Sequence, residues 1–86
     1  MTVQIHVRYF ASLREALGPE ETVELDDRMA TVAALRDTLL ALGGRHAEVL
    51  ARERPVRAAL NRMLVPESAA LSQGDEVGFF PPVTGG

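Results

Sequence analysis

The chain opens on an alternation. Across Val3 to Phe10, the apolar Val3, Ile5, Val7 and Tyr9 fall on one side and Gln4, His6, Arg8 and Phe10 on the other, the period of a half-buried strand. The pattern then changes at Ser12-Leu13-Arg14-Glu15-Ala16-Leu17-Gly18-Pro19. Leu13 and Leu17 are four apart, Ser12 followed by Glu15 fits a capping box, and Gly18-Pro19 supplies a stop, so a short helix is predicted. Alternation returns from Glu21 to Asp27 with Val23 and Leu25 inward, predicting a second strand beside the first. From Thr31, a candidate N-cap, Val32, Leu35, Leu39 and Leu42 recur at helical spacing until Gly43-Gly44, which marks the main helix. His46 to Glu53 can add a helical turn or two before Pro55. Val56 to Val65 reads as two short strands around Asn61-Arg62, and Asp75 to Phe80 as a last strand after the turn at Ser72-Gln73-Gly74-Asp75.

The predicted order is therefore strand, helix, strand, main helix, short helix and three strands. No repeat, linker or low-complexity stretch interrupts it. A mixed sheet with one main helix packed across it satisfies this order, and the ubiquitin-like β-grasp, an α+β fold, is the most economical version. The 86 residues fit one domain able to bury a modest core, here expected over residues 1–80, with residues 81–86 as an extended, flexible C-terminal tail.

Composition narrows the chemistry. The sequence has no Cys, which removes disulfides, a thiolate nucleophile, a persulfide and any Cys-ligated metal. The nine basic residues are all Arg and are scattered rather than clustered with aromatics, and the net charge is −3, so nucleic acid is not the expected partner. Without Lys, the chain cannot accept an isopeptide bond on a side chain. No basic leader followed by an apolar run is present and no apolar stretch approaches membrane-spanning length, which gives the cytoplasm as the expected compartment and no membrane partner.

Side-chain catalysis finds no constellation. His6 and His46 lack a flanking ligand pattern and read as solvent-facing imidazoles, so no metal site is expected. The carboxylate pairs Glu20-Glu21, Asp26-Asp27 and Asp75-Glu76 lie beside turn signals, where solvated charge belongs. General acid and base work needs carboxyls held in different environments, and the sequence isolates none of them from water. An independent active site is not expected.

The outward strand positions and the chain's end carry more. Parity places Phe10 with His6 and Arg8, and Phe80 with Glu76 and Gly78; if Met63 and Val65 fill the core, Leu64 also points outward. Three apolar residues on polar faces suggest a docking patch. Beyond them, Pro81-Pro82 cannot donate ladder hydrogen bonds and favours an extended chain leaving the sheet. From Pro81 to Gly86 such a chain reaches roughly 20 Å at about 3.3 Å per residue. Val83 and Thr84 can make contacts along the way, while Gly85 and Gly86 lack Cβ and can enter a channel too narrow for side chains. The reactive group so delivered is the Gly86 carboxylate, which adenylation by ATP makes electrophilic. With no Cys in the chain, sulfur would be held as a C-terminal thiocarboxylate.

Phe79-Phe80-Pro81-Pro82-Val83-Thr84-Gly85-Gly86, with Leu71 to Val77 before it, the Ala59 to Val65 segment and Arg8 to Glu15 near the start, resembles the small subunits of molybdopterin synthase, which are ubiquitin-like sulfur carriers. The resemblance spans the whole chain and implies a β-grasp fold. It further implies that Gly86, with Gly85, is the chemical site, adenylated by an activating enzyme and converted to a thiocarboxylate by a sulfur donor protein. The sulfur then passes to cyclic pyranopterin monophosphate in the large synthase subunit, two deliveries per cofactor. Phe10, Leu64 and Phe80 would contact the activating enzyme and the large subunit, with Pro81, Pro82, Val83 and Thr84 following into the partner. The implied assembly holds two large and two small subunits. ATP belongs to the activating enzyme, and no cofactor is expected on this chain. A thiazole-pathway sulfur carrier, a protein modifier joined to target lysines and an interaction module with an inert tail remain alternatives on the residues alone.

Overall fold

The computed structural model describes residues 1–82; Val83, Thr84, Gly85 and Gly86 lie outside the described residues. The elements are β1 (Thr2–Tyr9), α1 (Ala11–Leu17), β2 (Glu20–Asp26), α2 (Val32–Leu40), α3 (Gly44–Val49), β3 (Arg57–Leu60), β4 (Met63–Val65) and β5 (Glu76–Phe80). The strands form one mixed sheet in the order β2-β1-β5-β3-β4. Strands β1 and β5 run parallel at its centre, and the remaining pairs are antiparallel. Bringing the first and last strands together while the helical segment crosses one face is the β-grasp arrangement predicted from the pattern.

The register fixes which side chains share a face. Ile5, Val7 and Tyr9 of β1, Leu25 of β2, Val77 and Phe79 of β5 and Ala58 of β3 are buried against Leu13 of α1 and Val32, Leu35 and Leu39 of α2, with Leu50 and Leu71 closing the core. Each large side chain removed from water here contributes about 1.5–3 kcal/mol. The Thr31 hydroxyl accepts from the Ala34 amide at 3.1 Å, so the main helix has its predicted N-cap.

Four local expectations are corrected. The Ser12–Glu15 capping box is absent, because α1 begins at Ala11 with Phe10 as an N-cap that makes no side-chain cap bond. Ala11 there has φ 52, turning the chain sharply from β1 into the helix. Helix α2 ends at Leu40, and Leu42 is 59% exposed, because the chain turns through Leu40–Gly43 before a fourth helical repeat can reach the sheet. The short helix starts at Gly44 and stops at Val49, where Leu50 drops into the core. Met63 shares the covered side with Leu60 but is 72% exposed, since β4 is a short edge strand with no helix over its beginning.

The β3–β4 connection shows how closely the turn residues control the sheet. Asn61 and Arg62 both have positive φ, 48° and 73°, as a two-residue hairpin of the I′ kind requires. Asn61 suits that conformation and also ties the hairpin to β5, its side chain accepting from the Glu76 amide at 3.0 Å and donating to Asp75 Oδ1 at 3.1 Å.

One buried charge organises the helical side. Arg36 is 3% exposed, on the face of α2 that carries Val32, Leu35 and Leu39. Its guanidinium donates to the carbonyls of Leu50 at 2.8 Å, Ala51 at 2.6 Å and Arg54 at 3.1 Å, and to Glu67 Oε2 at 2.7 Å. Arg36 thus supplies donors to carbonyls at the end of α3 and in the loop after it, that of Ala51 being shared with the Arg54 amide. Arg52 joins from outside, donating to Glu67 Oε1 at 2.6 Å and to Asp37.

Candidate functional site

The sheet face opposite the helices is built from the alternate residues of the same strands. Paired positions place Glu20, Arg8, Gly78, Ala59 and Leu64 in one row across it. A parallel row carries Thr22, His6 and Glu76, and toward the chain's end Phe80 stands opposite Arg57. The face is therefore polar on the β2 side and apolar around β5.

Phe10, Leu64 and Phe80, predicted outward by parity, do lie on this side of the sheet. Phe10 is 40% exposed and Leu64 65%, while Phe80 is half-buried. Phe10 stands just past β1, its amide donating to the Phe79 carbonyl at 3.1 Å, and its ring lies over Gly78. A Cβ on Gly78 would come within 2.8 Å of Phe10 Cε2, so this glycine makes the seat for the ring. The pattern did not single Gly78 out, although its place between Val77 and Phe79 on a strand was the available signal. Arg8, which parity put on the same side as Phe10 without giving it a role, has its guanidinium carbon 5.6 Å from the Phe10 ring centroid.

Pro81 and Pro82 follow β5 outside regular structure and are half-buried. Pro81 lines a cleft of about 230 Å³ with Ser12, Leu13, Val49 and Pro55. The predicted positions Val83, Thr84, Gly85 and Gly86 lie outside the described residues.

The histidines divide: His6 faces the open side as the sequence reading expects, and His46 does not. His6 is paired with Glu20 at 2.7 Å on the open face. His46 Nε2 lies 2.7 Å from Glu21 Oε2, which also accepts from the Tyr9 hydroxyl at 2.7 Å. Tyr9 packs edge-on to His46 and stacks on Phe79, so Glu21 is a half-buried carboxylate between two rings rather than a solvated turn residue. Burial above all, then the hydrogen bond to Glu21 and its negative charge, hold the Tyr9 phenol well above its ordinary pKa. At the far end of β2, Asp26 is held below the usual carboxylate range by the Arg28 amide and then by the Arg28 side chain. Among the described residues no group of three or more His, Asp or Glu side chains is placed to hold a metal ion. No helix among them is long and apolar enough to cross a membrane.

The comparisons agree with this architecture. The molybdopterin synthase sulfur carrier subunit of Escherichia coli is 44% identical over 82 residues, covering 95% of this chain and 99% of its own. Among solved structures, small archaeal modifier protein 1 of Haloferax volcanii superposes with a TM-score of 0.77 at 26% identity, covering 94% of this chain and 99% of its own. A complex of subunits 1 and 2 of the molybdopterin-converting factor from Helicobacter pylori contains a chain with a TM-score of 0.64 at 26% identity, covering 98% of this chain and all of that one. The model of the ThiS family matches residues 7–86, from Val7 of β1 to the last glycine, and the chain belongs to that family.

Proposed function

We propose that this chain is the sulfur carrier subunit of molybdopterin synthase. The observation that carries the reading is the 44% identity, over nearly the full length of both chains, to a sulfur carrier subunit of that enzyme. The open face supports it: apolar Phe10, Leu64 and Phe80 surround a floor of Gly78 and Ala59, directly beside the strand that runs into Pro81.

In this reading the body of the protein docks and the tail reacts. Strand β5 passes from Phe80 on the docking face into Pro81-Pro82, and Val83 and Thr84 lead to Gly85-Gly86. An activating enzyme joins the Gly86 carboxylate to the adenylyl group of ATP with release of pyrophosphate, and a sulfur donor displaces AMP to leave the thiocarboxylate. The large subunit, the counterpart of subunit 2 in the Helicobacter pylori complex, then receives the tail, and sulfur passes to cyclic pyranopterin monophosphate. Two loaded copies serve each dithiolene, which fits an assembly of two large and two small subunits.

The test is the intact mass of the protein purified from its own host. The expected result is a form heavier by the replacement of one oxygen with sulfur, which reverts on incubation with the large subunit and cyclic pyranopterin monophosphate. A tail that never carries sulfur in cells making the cofactor overturns the reading. The likeness to small archaeal modifier protein 1 favours a second one, conjugation of Gly86 to lysines of other proteins. Covalent adducts in place of the thiocarboxylate would establish that alternative.

A further inference from the structure

Arginines that already have acidic partners cannot easily greet another protein. Arg28 lies beside Asp26, Arg36 is enclosed by Glu67 and three carbonyls, and Arg52 holds Asp37 and Glu67. On the strands of the open face, two arginines differ. Arg8 stands opposite Glu20 in the register, yet the Glu20 carboxylate turns to His6, 2.7 Å away, and the Arg8 guanidinium lies over the Phe10 ring instead. Arg57 stands opposite Phe80 and is exposed. Among the described residues neither has a carboxylate within salt-bridge distance. Arg57 and Leu64 also line a groove of about 430 Å³ whose one acidic residue, Glu67, is held by Arg36 and Arg52.

We propose that Arg8 and Arg57 form a charge-selective rim around the apolar patch and receive carboxylates of the large synthase subunit. Its docking surface is then apolar at the centre and acidic at the border; this rests on the carrier reading. A guanidinium stacked on an aromatic face still presents its N–H edge outward, and that planar fork matches a carboxylate. The chain as a whole carries a net charge of −3, so an acidic partner is repelled at long range and attracted locally where these two arginines face it. Such a rim orients the encounter, and its signature is in the association rate and its salt dependence.

The experiment measures association and dissociation of the full-length chain with the large subunit of the same organism at low and high salt. It compares wild type with Arg8→Gln, Arg57→Glu, the double variant, and Arg62→Glu at the β3–β4 turn, each with a melting curve. The double variant is expected to bind about tenfold more weakly at low salt, mainly through slower association, and to lose most of the salt dependence. Arg62→Glu should stay within about twofold of wild type. If Arg8→Gln alone is destabilised, Arg57→Glu decides by the same readout. Wild type that binds while the rim variants match it at both salt concentrations overturns the rim alone. Wild type that does not bind the large subunit overturns the carrier reading and the rim together.

Discussion

The two faces of one sheet are made by neighbouring residues with opposite fates. On β1, Ile5, Val7 and Tyr9 are buried, whereas His6 and Arg8, with Phe10 just past the strand, are half-buried or exposed; on β5, Val77 and Phe79 are buried beneath the helices while Phe80 stands at the border of the open face. The covered face is apolar except where a fully engaged polar group closes it, as Tyr9 and Arg36 do. The open face keeps aromatic rings without a helix to cover them. Buried core and exposed apolar surface are thus separated by a single residue step along each strand.

The sharpest way to break this comparison is to exchange the same substitution between adjacent residues. Phe79→Arg removes packing worth about 3–5 kcal/mol and buries an unpaired guanidinium, against a total stability of roughly 5–15 kcal/mol for a domain of this kind. It is expected to be unfolded by circular dichroism. Phe80→Arg should stay folded yet bind the large subunit at least tenfold more weakly, because an aromatic desolvated in an interface carries much of its energy. A folded Phe79→Arg beside an unfolded Phe80→Arg would reverse the assignment of the two faces.

A smaller effect tests whether the covered face depends on its one buried cation. Arg36→Met keeps an unbranched apolar stem but takes the guanidinium away from the carbonyls of Leu50, Ala51 and Arg54 and from Glu67, leaving Ala51 only the Arg54 amide. The expected loss is about 3 kcal/mol, which lowers the melting temperature by on the order of 15 °C. An unchanged melting temperature would mean that water or the backbone replaces the guanidinium at little cost.

Tyr9 supplies a pH-dependent version of the same question. Its folded pKa is raised, so folding favours the neutral phenol, and that preference is fully present below the ordinary tyrosine value of 10.0. Above it, the unfolded chain releases the proton while the folded chain keeps it, and stability falls as pH rises. Urea midpoints between neutral pH and pH 11 should therefore decline more steeply for wild type than for Tyr9→Phe. Parallel declines would show that Tyr9 is not the group responsible.

Most of the fold was legible because its elements are announced locally. Alternation marks β1, β2 and β5, Thr31 caps α2, and Asn61-Arg62 sits in a two-residue hairpin, each within a few residues of chain. Strand parity likewise marks Phe10, Leu64 and Phe80 as residues of the open side. What escaped depends on distant encounters. His46 meets Glu21 from 25 positions away and Arg36 meets Glu67 from 31, so their isolated types looked like ordinary surface charge. Met63 and Leu42 failed for the converse reason, their spacing being right but no neighbouring element extending far enough to cover them. Arg8 and Gly78 were visible as strand residues, yet only the closure of β1 on β5 makes one the cover and the other the seat of the same ring.

The smallest expected effect is Gly78→Ala, and it sharpens the comparison most finely because it adds one methyl to the open face without altering charge. Gly78 has no positive φ to defend, so an alanine costs the backbone nothing and strand propensity barely changes. The new Cβ would meet Phe10 Cε2 at 2.8 Å, and what must give is the outer edge of an aromatic ring that is already 40% exposed. The ring should lift or swing while the backbone stays, so the melting temperature is expected to remain within about 5 °C of wild type, equivalent to less than about 1 kcal/mol. Nuclear magnetic resonance should show the Phe10 ring and the Arg8 side chain shifting together, since the guanidinium lies over that ring, with Tyr9 and Phe79 on the covered face nearly unmoved. If the variant instead loses several kcal/mol, or the Tyr9 and Phe79 resonances move as far as those of Phe10, the ring is a locked part of the core. Phe10 could then not serve as a docking residue set apart from the face that holds the fold together.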